Sequence, residues 1–214
     1  MALGVVSVLA VPSVIRVLIA TRRSSSECTA YTRYTSTLLN VVSWFEHDMK
    51  PGSESWKSLL SVRNRHHRTS SAGKLSGYGV VSQRDLALTQ NTFIAFSMLN
   101  MEQLGLRQLQ PGDWEAYNHT WRVIGYMIGI DDSYNICQGT IQDTREICKR
   151  IQQRVIAPCL ASVPEYFEHM TRMFAWGLAN HIPTLHADAA LFLCKHLSGV
   201  PGYVYTERDR VDLE

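Results

Sequence analysis

The sequence predicts an all-α fold, and three observations carry that prediction. Apolar residues recur at three- and four-residue spacing through most of the chain. No stretch keeps the two-residue alternation of a half-buried strand. Clusters of Gly, Pro and Ser separate the periodic stretches at helix-length intervals. With 214 residues, 45% hydrophobic and 19% charged, the chain is long and apolar enough for one domain with a sizeable core. We therefore read residues 1–214 as a single helical domain without internal repeats.

The opening MALGVVSVLAVPSVIRVLIATRR is apolar over most of its length. No basic segment precedes it, and Pro12 and Arg16 interrupt it, so a buried core helix is preferred over a signal peptide or a spanning helix. Association of residues 2–20 with a membrane stays open, because Arg22 and Arg23 would suit a cytoplasmic flank. The next helix is predicted over Tyr31–Asp48, with Tyr34, Leu38, Val41, Val42 and Phe45 as its stripe, Ser26 or Thr29 as cap, and Lys50-Pro51-Gly52 as its end. Ser53 or Ser55 can then cap a helix carrying Trp56, Leu59, Leu60 and Arg63 towards His66 and His67. SSAGKLSGYG reads as a loop.

Ser82 followed by Asp85 forms a capping arrangement for a helix that carries Leu86, Thr89, Phe93, Phe96, Met98 and Leu99 and closes at Gly105. Asp113 is the expected cap of a central helix over Trp114–Asp132. Thr140–Ala157 opposes Ile141, Ile147, Cys148, Ile151 and Val155 to a polar face, and Pro158 is expected to stop or kink it. Two last helices are predicted over Pro164–Asn180 and Pro183–Leu197, each with proline in its first turn.

Composition narrows function chiefly by exclusion. A formal charge of +2 and a single short basic cluster, Arg63, Arg65, His66, His67 and Arg68, argue against nucleic acid as a partner. Five widely spaced cysteines without a Cys-x-x-Cys pair disfavour a zinc cage and a disulfide framework. They suit a reducing compartment, so a cytoplasmic protein or one bound to the endoplasmic reticulum or another membrane is favoured over a secreted one. There is no Gly-rich phosphate loop, no Gly-x-Ser-x-Gly elbow and no His-Glu-x-x-His motif. His181, His186 and Asp188 have the wrong offsets for ligands on one helical face.

The central helix has one imidazole, His119, on the face of Glu115, Ala116, Arg122, Val123 and Tyr126. It reads either as a ligand to iron or as a hydrogen-bonded core histidine. Gly125 and Gly129, four apart, would let a second backbone or a flat ligand approach closely.

Three ordered segments add a more specific signal: SVRNRHHR (Ser61 to Arg68), VSQRDLALTQNTF (Val81 to Phe93) and YNHTWRVIGYMIGI (Tyr117 to Ile130). Their Val-Arg-x-x-His, Gln-x-Asp-Leu-x-x-Thr and His-x-Trp-Arg-x-x-Gly elements resemble the oxygenase domain shared by bacterial latex-clearing proteins (rubber oxygenases) and the endoplasmic-reticulum-bound oxygenase of the mycophenolic acid pathway. The interval from Thr89 to His119 and the TRYTST segment fit as well, so the resemblance spans about residues 30–135.

That resemblance implies a globin-like helical core, here shortened at one or both ends, holding haem b with His119 as proximal iron ligand and Gly125 beside it. It places Thr89, Asp85, Arg63 and His66 on the distal, catalytic side. Arg122 would pair with a haem propionate or with Asp85. The implied reaction is cleavage of a C=C bond in an isoprenoid or other hydrophobic, lipid-like substrate by dioxygen. Two departures qualify it: Asp85 and Leu88 stand where the rubber-cleaving branch carries basic residues, and no acid lies among residues 62–81, so His66 or His67 would have to act as base. The alternative readings are a non-catalytic haem- or lipid-binding helical protein and a shortened, inactive family member.

Overall fold

A computed structural model describes residues 1–106 and 110–204. Its elements are α1 (Ala2–Leu9), α2 (Pro12–Ala20), α3 (Glu27–Glu46), α4 (Glu54–Ser76), α5 (Gln83–Leu99), α6 (Pro111–Ile128), α7 (Ile141–Ile151), a π turn (Gln152–Ile156), α8 (Ala157–Ala161), α9 (Phe167–Leu178) and α10 (Ala187–Leu197). Among the described residues there is no strand, so the fold is all-α.

The apolar N-terminus forms two helices meeting at 94°, because Pro12 cannot continue α1 and instead opens α2. Among the described residues no single helix is long and apolar enough to cross a membrane, although the bent pair meets that test by length and composition. Val6, Val8 and Leu9 are buried, and α1 runs through the interior against α5, α9 and α10. The crossing with α5 is set at Gly4, where an added Cβ would clash with the Thr92 carbonyl.

Helix α5 divides the interior in two. Leu88 and Phe96 face a cluster built from α1, α2, α9 and α10, including Leu9, Ile15, Phe167 and Phe174. Ala87, Ile94, Ala95 and Met98 face a second cluster with Trp44, Leu59, Trp121, Ile124 and Cys148. A buried polar clasp locks α5 to α6. Gln90 Nε2 donates to the Trp121 carbonyl (2.9 Å) and to Asn135 Oδ1 (3.0 Å), while Gln90 Oε1 accepts from the Ile136 amide. Gln83 holds the end of α6, donating to the Gly129 carbonyl and accepting from the Asp131 amide, both at 2.9 Å.

Several sequence-based boundaries move. SSAGKLS is helical, because α4 continues to Ser76 before Gly77 closes it at φ +74°. Gly73 does not break the helix, and its bare Cα admits the Gly79 carbonyl. Helix α6 begins at Pro111, with the Asp113 carboxylate accepting from the Gln110 amide at 2.7 Å, so Asp113 lies inside the first turn. Pro158 does not end its helix. The π turn before it bonds the Ala157 amide back to Gln152 O, widening the ladder ahead of a residue that has no N–H to give. Pro164 and Pro183 lie in loops, and their helices start at Phe167 and Ala187.

Candidate functional site

Between the two clusters lies a cavity of about 350 Å³. Val5 and Val8 of α1, Val14, Val17 and Leu18 of α2, and Leu86 and Phe93 of α5 form its apolar walls, closed by Trp121, Ile124 and Ile128 of α6. Phe93 stacks on Trp121 with ring centroids 5.1 Å apart, which fixes both rings in that wall. Polar groups gather at the other end, from Arg23, from Arg33 of α3 and from Arg65, His66 and Thr69 of α4. A volume of this order suits a small apolar ligand.

Asp85, Thr89 and His66 all line this cavity. Asp85 is buried with both oxygens engaged: Oδ1 accepts from the Ser13 hydroxyl (2.6 Å), and Oδ2 accepts from the Ser82 amide (3.1 Å) and hydroxyl (2.7 Å). It closes the capping box of α5 and ties α2 to it. The Thr89 hydroxyl donates to the Asp85 carbonyl at 2.8 Å, so its proton is committed and its oxygen keeps only acceptor capacity. His66 is shut off from solvent at Nδ1, which has no hydrogen-bond partner. Burial first, then the Arg33 and Arg65 charges, pull its pKa down to about 4, so the ring is neutral at physiological pH.

Four expected site residues lie elsewhere. Arg63 is exposed and packs its side chain against Gly129 at the end of α6. Gly125 makes room for the polar clasp, since an added Cβ would sit 2.5 Å from Gln90 Nε2 and 2.9 Å from Asn135 Nδ2. His119 and Arg122 are exposed on the outward face of α6, with Glu115, Ala116 and Tyr126. The buried face of that helix carries Trp121, Ile124 and Met127. Arg122 therefore does not pair with Asp85, whose partners are Ser13 and Ser82.

A family model described as ER-bound oxygenase mpaB/B'/rubber oxygenase, catalytic domain, matches residues 1–201. The chain belongs to this oxygenase family. It is similar to a rubber oxygenase of Streptomyces sp. (strain K30), with 34% identity over 85 residues, which are 40% of this chain and 19% of that protein. No solved structure matches the chain.

The matched family is one of oxygenase catalytic domains. The surroundings of His119 do not fit a haem in this chain. Among the described residues its ring has no hydrogen-bond partner, and it borders an open groove of about 370 Å³, in which Cys137 and Ile141 are the apolar side chains among Glu115, Asn118, Arg122, Thr140 and Gln142. An iron-ligating imidazole needs a wall that excludes water and a partner for its second nitrogen, and neither is present. Among the described residues no group of three His, Cys, Asp or Glu side chains could hold a metal ion. The cysteines are all free, and burial pushes the Cys137 and Cys148 thiols up to about 12, which leaves them inert at neutral pH.

Arg33, Tyr34 and Trp121 line the cavity although the sequence assigns none of them to the site. A signal for Arg33 existed: with Ser36, Thr37 and Asn40 it makes a polar stripe beside the apolar one of Tyr34, Leu38 and Val41 on α3.

Proposed function

We propose that this domain is an oxygenase that holds an unsaturated apolar chain, an isoprenoid or a comparable lipid, in the cavity between α1 and α6 for attack on a C=C bond by dioxygen. The single observation carrying this reading is the cavity itself: apolar walls bring Thr89, Asp85 and His66 together at one place in a chain of an oxygenase family. In it the α1, α2 and α5 walls exclude water from the chain, and Trp121 and Phe93 add aromatic lining against which a C=C segment can pack. His66 is neutral, with its buried Nδ1 free of any hydrogen-bond partner among the described residues.

Haem b is the cofactor that the family resemblance implied, and His119 was its expected ligand. With His119 facing outward from α6, no step of the proposal is routed through that group. The outward position of His119 favours a second reading, in which the domain holds the lipid without oxidising it.

Oxygen uptake and mass spectrometry of carbonyl products with squalene and geranylgeraniol separate the two. Consumption of dioxygen with paired carbonyl fragments supports the oxygenase, and bound, unchanged substrate supports the holding module. Haemin titration of wild type, His119→Ala and His66→Ala, followed by absorption, decides the ligand. A Soret band lost only in His119→Ala would restore that residue as the iron ligand.

A further inference from the structure

Arg23, Arg33 and Arg65 converge on the polar end of the cavity, and among the described residues none of them has a carboxylate partner. The Arg33 Nη1 donates to the Thr21 hydroxyl at 3.3 Å and Arg65 Nη1 to the Ser61 hydroxyl at 3.3 Å, both neutral acceptors. None of the ion pairs among the described residues includes any of the three. Asp85, the carboxylate in the lining, is fully engaged by Ser13 and Ser82. The cations sense one another: after burial, Arg23 is a cause of the lowered pKa of both Arg33 and Arg65, and Arg33 and Arg65 lower that of His66. Like charges gathered at a low-dielectric wall repel, and an anion placed among them relieves that repulsion and accepts the unused guanidinium N–H groups. Arg23 is exposed while Arg33 and Arg65 are half-buried, so the cluster runs from the surface inward. Beyond it the walls are valine, leucine and aromatic side chains.

We infer that the ligand of this cavity is an amphiphile with an anionic head, a carboxylate or a phosphate, clasped by Arg23, Arg33 and Arg65, and with an apolar tail running towards Trp121 and Ile124. The inference rests on the reading of the cavity as the substrate chamber and names the substrate class. A hydrocarbon such as polyisoprene would leave the arginine cluster uncompensated. Free inorganic anions would leave the apolar walls unfilled.

Binding is read from tryptophan fluorescence, because Trp44 and Trp121 line the cavity. Wild-type protein is titrated, without dioxygen, with oleate, farnesyl monophosphate, oleyl alcohol, acetate and inorganic phosphate. Oleate or farnesyl monophosphate is expected to bind at least about tenfold more tightly than oleyl alcohol, as charge-assisted hydrogen bonds require, and the short anions hardly at all. The stronger of the two long anions identifies the head group. In Arg65→Met and Arg23→Met, which alter partly or fully exposed side chains and keep the fold by circular dichroism, the preference should shrink while affinity for oleyl alcohol stays. Equal affinity for the alcohol and the anions, a preference untouched in both variants, or no binding of any long chain overturns the proposal. Anion binding without oxygen uptake in the presence of air would defeat the oxygenase reading alone, whereas uptake with a neutral hydrocarbon and no anion preference would defeat this inference alone.

Discussion

Gly4 of α1 and Thr92 of α5 meet backbone to backbone, with no room for a Cβ between them. This crossing seats α1 in the interior and so sets one wall of the cavity, where Val5 and Val8 lie. Gly4→Ala is expected to destabilise the protein by about 3 kcal/mol, since the obstacle is a carbonyl rather than the flexible end of a side chain. Urea unfolding with an unchanged m-value checks it, and a loss below about 0.5 kcal/mol would show that the two helices can separate freely.

His66 makes stability depend on pH. Its folded pKa of about 4 lies below the ordinary 6.5, so the unfolded chain binds the proton more readily than the folded one. Stability is then full above the unfolded value and falls as pH drops from about 6.5 towards 4, by up to roughly 3 kcal/mol. His66→Gln should flatten that window, as measured by melting temperature from pH 7.5 to 4. A wild-type curve with no slope there would mean that the ring stays solvated.

The clasp of Gln90 is a third point of test. Its amide satisfies the Trp121 carbonyl, Asn135 Oδ1 and the Ile136 amide, and Asn135 in turn reaches the Arg122 carbonyl at 2.9 Å and accepts from the Cys137 amide at 3.2 Å. Gln90→Leu keeps the volume but orphans several buried groups at once. We expect a loss of roughly 2–4 kcal/mol. Amide hydrogen exchange should rise first in residues 131–137, and equal exchange in wild type and variant there would count against the clasp.

Where the sequence was legible, the signal was local. The Ser82–Asp85 capping box involves neighbours three apart, and the spacing alone implied it. The helical periods of α3 and α5 were equally plain. Illegible features depended on distant partners. That Gly73 stays helical follows from the approach of Gly79, and that Pro158 is tolerated follows from a π turn. The outward face of His119 is set by which side of α6 meets Phe93, Gln90 and Leu59, and a stripe mixing Ala116, Val123 and Tyr126 with charges did not reveal it. Arg33 escaped notice because a cation beside an apolar stripe ordinarily points to water.

His119 and the cavity can be separated by ligand binding. Thr89 lines the cavity from α5, whereas His119 is exposed on the face of α6 opposite Trp121 and Ile124. Thr89→Trp places an indole in the chamber and is expected to weaken binding of a long-chain probe such as oleate at least tenfold, about 1.4 kcal/mol or more. His119→Ala should change that binding less than twofold, because its ring touches the groove beside Gly139 and Thr140 instead. Calorimetric titration of both variants decides the point. A comparable loss in His119→Ala would place the imidazole at the chamber after all and reverse the orientation of α6 described above, and with it the case against His119 as an iron ligand.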